Sequence, residues 1–434
     1  MSGRLLRSAR NDMRKCGFEI IFVNQVGTMF LKKVMPVSLT FVFPFVVNLC
    51  GSPARADSDA EFRKQAGRLA REILLLDTHM DTAYELHKKM QDISGRIEGG
   101  HFDYVRARQG GLDAVFMAVY VPPAYEEKGG AKAFAEETID LVESFGRKWP
   151  DKFVPARSGD EIRAAFGSGR LAILLGIENG SALEGDLANL AYFHGRGVRY
   201  ITLTHSKNNH ICDSSFDEGP KWHGLSPFGR RVVTEMNRLG MIIDVSHVSD
   251  DAFYQIVSLS KTPVVATHSS CRHFTPGWHR NMSDDMIRQL AEKGGVIQIN
   301  FGSMFVDPEV NRQFRKIRTE VGEHIRVNRL EGVERDRYVR QRWTQAQFGK
   351  AHVRDVAAHI DHVVKLVGIE HVGLGSDFDG VTELPEGLED ASGYPNLLYE
   401  LLKMGYDEGD IRKICGENFL RVWAEIERAR PNPS

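Results

Sequence analysis

Residues 74–82 read Leu-Leu-Leu-Asp-Thr-His-Met-Asp-Thr. An apolar run without alternation suits a strand buried on both faces, and such strands belong to parallel sheets covered by helices. We place a strand over 73–76, with His79 and Asp81 just past it. Two residues apart on an extended segment, they project to the same side and can reach one ion. A strand that ends in ligand-type residues is the form expected of a (β/α)₈ barrel, whose active site lies at the strands' C-terminal ends.

Working outward, the same signal recurs. Further β-rich runs lie at 114–121, 171–177, 200–204, 241–245, 263–267, 296–300 and 371–375, which makes eight candidate strands. Helical patterns separate them at 131–148, 185–196, 227–239, 250–259, 283–292 and 353–367, and a last helical region spans 407–428. Ser226 before Pro227, and Ser283 before a run of acids, read as N-caps. Strands alternating with helices predict a parallel sheet with crossover helices, here an α/β (β/α)₈ TIM barrel forming one domain over 57–434. The charged stretch at about 306–350 is read as a helical insertion between strands seven and eight. It is either a cover over the active-site face or a solvated decoration.

Composition narrows the function classes. The chain has 434 residues, 42% hydrophobic and 26% charged, with a net charge of −2. That balance excludes disorder as the default and offers no basic footprint for nucleic acid, so a small-molecule partner is expected. The cysteines (Cys16, Cys50, Cys212, Cys271, Cys415) are scattered without a C-x-x-C pair, which argues against a disulfide scaffold or a thiolate zinc site. Cys212 and Cys271 are the only candidates we weigh for pairing, and no bridge is expected.

Residues 1–56 read as a targeting segment, with Met29 as an alternative start. Lys32 and Lys33 precede an apolar run over 34–49, and Ala54 and Ala56 offer a cleavage site. The run is short of the roughly 20 apolar residues of a spanning helix, and Pro36 and Pro44 interrupt it. The expectation is an exported protein, periplasmic or secreted, without a stable membrane span after processing; an uncleaved anchor is the rival reading.

The ionisable residues carry the chemistry. Glu178 follows the third strand, His205 the fourth, His247 the fifth, His268 the sixth and Asp377 the eighth, joining His79 and Asp81 of the first. A single histidine after a strand is more often a structural residue. Imidazoles with carboxylates gathered at one set of strand ends are the ligand set of zinc and related ions, whereas an all-oxygen set would suggest magnesium or calcium. Asp244 and His210 are weaker candidates, and His359 and His362 sit at the helical spacing of a packed face.

On these residues, and on the ordered segments GGLDAVFMAVYVPP, GIENGSAL, GVRYITLTHS, GLSPFGRRVV, LGMIIDVSHVS, VVATHSS, GLGSDFDGV and ENFLRV, the chain resembles the membrane (renal) dipeptidases. These form peptidase family M19 of the metal-dependent amidohydrolase superfamily, and the resemblance runs from about residue 74 to 422. It implies a zinc-dependent dipeptidase with two zinc ions per chain, bridged by Glu178 and a hydroxide or water. His79 and Asp81 would bind one ion, and His247 and His268 the other. It further implies that His205 contacts substrate and steadies the oxyanion, and that Arg280, in the run WHRN, receives the substrate carboxylate. Asp377 would engage the amine and move the proton, with Asp379 as its rival. A dipeptide substrate, tolerance of a C-terminal D-residue and a homodimer are also implied.

The chain departs from that pattern in places. Asn179-Gly180-Ser181-Ala182 follows Glu178 where many relatives have Gly-Gly-His, and both the segment after His205 and the insertion differ from the mammalian form. These touch substrate preference rather than metal binding. The competing enzyme reading is another hydrolase of the superfamily: a lactonase, an N-acyl amino acid hydrolase or a phosphotriesterase-like enzyme. Many of those bridge their metals with a modified lysine on the fourth strand, where this chain has His205.

Overall fold

The structure, a computed structural model, describes residues 53–431. The targeting segment, Met29, Cys16 and Cys50 lie outside the described residues, apart from positions 53–56, which begin a helix, Pro53–Glu72.

Among the described residues nine parallel strands form one sheet: β1 (Leu76–Met80), β2 (Ala114–Tyr120), β3 (Phe153–Pro155), β4 (Leu171–Glu178), β5 (Val198–Thr202), β6 (Ile242–Asp244), β7 (Val265–Ser269), β8 (Val296–Ile299) and β9 (Val372–Leu374). Eight follow the order β1-β2-β4-β5-β6-β7-β8-β9, and β3 pairs with β4 off this path. The barrel closes just beyond the ends of its first and last strands. Asp81 N–H donates to the Phe378 carbonyl at 2.9 Å, and Asp377 N–H to the His79 carbonyl at 3.0 Å. Beneath them the buried Asp77 carboxylate accepts from the backbone N–H groups of Ser376 and His79 and from the Tyr394 hydroxyl. The fold is therefore the expected TIM barrel, an eight-stranded parallel α/β barrel.

Some boundaries differ from the sequence reading. His79 lies within β1, not past it, and His268 lies within β7. Helices 131–148, 227–239, 250–259 and 353–367 fall where expected. Ser226 and Ser283 cap their helices, accepting from the N–H groups of Gly229 and Met286. The final helical region breaks near Gly416, where a side chain would press on Leu74 at 3.1 Å. The insertion forms two helices, Pro308–Asn328 and Gly332–Gln345. Its first helix contacts two barrel loops: Arg318 donates to the Phe216 carbonyl and Arg315 to that of Pro276. Cys212 and Cys271 are buried and free.

One apolar cluster lies between barrel wall and helices, and a second lies inside the barrel. In the second, Phe116 packs 5.3 Å from Tyr200 and 5.4 and 5.8 Å from Phe419 and Trp423 of helix Asn418–Arg428. Gly176 on β4 makes room for the Tyr200 ring, since a Cβ there would lie 2.0 Å from Tyr200 Cζ. This aromatic stack reaches upward to the strand ends, where Tyr200 meets His79.

Candidate metal centre and active site

Glu178, the last residue of β4, presents its two oxygens to different partners. Oε1 lies 3.1 Å from His247 Nε2, 3.3 Å from His268 Nε2 and 3.7 Å from His205 Nε2. Oε2 lies 3.7 Å from His79 Nε2, which is 3.4 Å from Asp81 Oδ2. His247 and His268 bring their Nε2 atoms within 2.9 Å of each other. Asp377 joins His79 and Asp81 in a further group whose ligand atoms all lie within 4.8 Å. The structure thus brings together all seven residues singled out at the strand ends.

This donor set fits divalent cations. Ligands about 2.0–2.1 Å from a tetrahedral ion stand roughly 3.3 Å apart, close to the separations around Glu178 Oε1. His79 Nε2 is buried without a hydrogen-bond partner among the described residues. Three carboxylates, Asp81, Glu178 and Asp377, are crowded out of water, an arrangement that calls for positive charge among them. Imidazole with carboxylate favours zinc and its neighbours.

The protonation preferences agree with that use. Burial holds His205 and His247 below the ordinary imidazole value and His268 at about 3, so these rings stay neutral and keep a lone pair for an ion. Burial acts against a charge on Glu178 as well, but His205, His79, His247 and His268 outweigh it and hold the carboxylate well below its usual range. For His79, burial is outweighed by Tyr200, Glu178 and Asp81, which raise it well above the usual value. Burial first, then Asp81 and Glu178, lifts Asp377 to about 6, although His268 and His79 pull the other way.

Behind His79, His268 and Asp377 stands a second set of bonds, whereas His247 Nδ1 is buried with no partner among the described residues. With Nε2 free for an ion, His79 carries its proton on Nδ1 and donates to the Tyr200 phenol oxygen at 2.8 Å. His268 Nδ1 likewise meets Thr267 Oγ1 at 2.9 Å, and that hydroxyl donates to Asp244 at 2.6 Å. Asp244 also accepts from Thr202 Oγ1 and Ser246 N–H, so it steadies a ligand from behind without facing the cavity. Asn300 Nδ2 donates to Asp377 Oδ2 at 2.6 Å. Asp379, the rival acid, is already engaged by Thr82 Oγ1 and by His101 N–H at 2.6 Å.

Backbone strain marks the same rim. His247, Asp377, Asp379 and Asn179 take left-handed conformations, with φ of 68°, 63°, 67° and 80°. Non-glycine residues hold such angles only where the surroundings over-determine them, as functional sites do. Gly380 is needed because a Cβ there would lie 2.3 Å from both Asp377 Oδ1 and Asp81 Oδ2.

The site opens into a cavity of about 290 Å³. Asp81, Glu178, His205, His247, Asp377 and the rival acid Asp379 line it, and Tyr84, Tyr120, Phe216, Met304, Phe305 and Val381 are among its other walls. Arg280 stands behind, buried, with Nη1 donating to Ser269 Oγ at 2.8 Å and Nη2 to the His268 carbonyl at 2.7 Å. Its Nε has no partner among the described residues. Burial lowers Arg280 to about 10, and it remains a cation at neutral pH. His210 is elsewhere, 3.0 Å from Glu126. His359 is a buried pin that accepts from Cys271 N–H through Nδ1 and donates to the Val306 carbonyl through Nε2. His273, Asp284 and His362 form a separate group near the surface.

Residues 63–433 match the profile of "Membrane dipeptidase (Peptidase family M19)". The chain belongs to the membrane dipeptidase family. As a member it is a hydrolase of dipeptidase type. The chain is 36% identical over 337 residues to dipeptidase tcpJ of Claviceps purpurea (strain 20.1), covering 76% of this chain and 70% of that protein. Among solved structures it is similar to the probable dipeptidase PvdM from Pseudomonas aeruginosa, with a TM-score of 0.73 and 27% identity over 85% of this chain and 99% of that one. It is also similar to a metallo peptidase from Rhodobacter sphaeroides liganded with a phosphinate mimic of the dipeptide L-Ala-D-Ala, with a TM-score of 0.67 and 25% identity over 82% and 99% of the two chains.

Sequence reasoning passed over several residues of this membrane dipeptidase site. Tyr200 and Asn300 enter the sequence reading only as the ends of strand ranges, and Phe216 not at all. A usable signal existed for Tyr200: a glycine, Gly176, in the neighbouring strand leaves space for a large ring.

Proposed function

We propose that this chain is an exported, zinc-dependent dipeptidase that uses a pair of metal ions. The observation that carries the reading is Glu178, whose Oε1 faces His247 and His268 while Oε2 faces His79, as a carboxylate bridging two ions would. Bound there, the pair would polarise the scissile carbonyl and acidify a water from 15.7 toward about 7, supplying a nucleophile at neutral pH.

The chain's own groups do the rest. His205 lies beside Glu178 at the cavity wall and donates to the oxygen of the tetrahedral intermediate, a contribution of about 3–4 kcal/mol in comparable sites. Arg280 attracts the substrate's free carboxylate. Asp377, oriented by Asn300, faces the amine, takes a proton from the nucleophile and passes it to the leaving nitrogen. The ligand in the Rhodobacter sphaeroides relative supports acceptance of a C-terminal D-residue. Export is supported by the basic and apolar lead at 32–49, and no helix among the described residues is long and apolar enough to cross a membrane. Homodimer formation stays an expectation from the family.

The test is metal analysis of purified mature protein together with a panel of Ala-Ala, Ala-D-Ala, lactone and N-acyl amino acid substrates. Zinc-dependent release of amino acids, with dipeptides preferred, is expected. Metal-replete protein that leaves every dipeptide intact would reject the reading, and higher efficiency on lactones or N-acyl amino acids would favour the alternative hydrolase.

A further inference from the structure

Helix Pro308–Asn328 comes from the insertion, yet it reaches the cavity wall through one side chain. Arg318 donates from Nη2 to the Phe216 carbonyl, and its guanidinium stands 5.1 Å from the Phe216 ring and 5.9 Å from that of Trp278. Phe216 and Trp278 meet edge to face at 5.3 Å, and Phe314 of the same helix lies 5.6 Å from Trp278. Arg315 adds a bond to the Pro276 carbonyl at 3.0 Å. One helix therefore grips two barrel loops, the loop after His205 and the loop that carries Arg280.

The inner side of that grip is apolar. Phe216, Met304, Phe305 and Val381 line the cavity together, and the Arg280 guanidinium sits 5.3 Å from the Phe305 ring. A dipeptide whose carboxylate is drawn to Arg280 sets its C-terminal side chain next to Phe305, along the face that Phe216 completes. We propose that this aromatic wall, held in place by Arg318, selects dipeptides whose C-terminal residue carries a large apolar side chain. The proposal rests on the dipeptidase reading and on Arg280 receiving the carboxylate. Arg318 is a positioning residue: it touches no substrate and acts through Phe216. The wall depends on a helix outside the minimal barrel, so its selectivity belongs to this chain's own loops.

The experiment compares kcat/KM for Ala-Phe and Ala-Gly in metal-replete wild type, Arg318→Ala, Phe216→Leu and the double variant. Each single variant should lower the Ala-Phe to Ala-Gly ratio at least about tenfold, the scale on which apolar pockets discriminate, with the loss in KM rather than kcat. The double variant should lose no more than the worse single one, because both act on one wall. An equal loss on both peptides, or losses that multiply in the double variant, would overturn the proposal and leave Arg318 a general stabilising residue. Phe216→Leu keeps the test decisive if Arg318→Ala folds poorly, since an unchanged ratio in that variant alone refutes the wall. Wild-type protein that cleaves neither peptide overturns the dipeptidase reading and the wall with it.

Discussion

Replacing Tyr200 by Phe deletes a single oxygen atom and tests whether the aromatic stack in the barrel serves the metals. The ring should stay in place, because Gly176 leaves its slot open and Phe116 packs 5.3 Å away. What goes is the partner of His79 Nδ1, 2.8 Å distant and fully buried. An unpaired buried donor costs about 1–3 kcal/mol. Independently, removing the outer partner of a ligating histidine costs roughly 10–100-fold in metal affinity, or about 1.4–2.7 kcal/mol. The two estimates overlap, so the ion held by His79 and Asp81 should bind about 10–100-fold more weakly, while the ion at His247 and His268 is little changed. Competition against a chromogenic zinc chelator would resolve the two affinities, with circular dichroism to check the fold. Two affinities both within about twofold of wild type would refute the claim that Tyr200 orients a ligand.

Three further outcomes are expected. Asp377→Asn should keep its zinc, measured by elemental analysis, while kcat falls by about 10²–10⁴-fold; unchanged turnover would remove Asp377 from the proton transfers. Chelation should abolish dipeptide hydrolysis and lower the melting temperature, and added zinc should restore both, because an ion that binds only the folded chain stabilises it by mass action; full activity in exhaustively chelated protein would sink the metal reading. Burial holds His359 at about 3 against an ordinary 6.5, so its contribution to stability is complete above about pH 6.5 and is lost as pH falls, at about 1.4 kcal/mol per pH unit. Denaturant unfolding should therefore steepen with acid more in wild type than in His359→Asn, and parallel slopes would contradict a neutral buried ring.

The barrel was legible because its strands are short apolar runs with no alternation, and the rim was legible because histidines and acids recur just where those runs stop. His79 and His268 proved to lie inside β1 and β7, since a strand tolerates a ligand at its last turn of the pleat when the neighbouring strand bonds alongside. The supporting shell was not legible. Tyr200, Asp244 and Asn300 act across strands, and which side chains oppose each other depends on register and on bulges such as the one between Leu175 and Gly176. The left-handed angles at His247 and Asp377 have no sequence signature in residues other than glycine. The insertion was recognisable by its charge, but its grip on Phe216 follows from where one arginine lands.

The seam of the barrel has a bearing on how activity would be lost. Its first and last staves meet through a few bonds near Asp77, Asp81 and Asp377 rather than along a full ladder, and one lip carries His79 and Asp81 while the other carries Asp377. Any fluctuation that parts these lips separates the acid from the ligands before the remaining staves come undone. Inactivation by heat or denaturant should then run ahead of global melting, and occupancy by ions spanning the rim would act as a rivet across the joint.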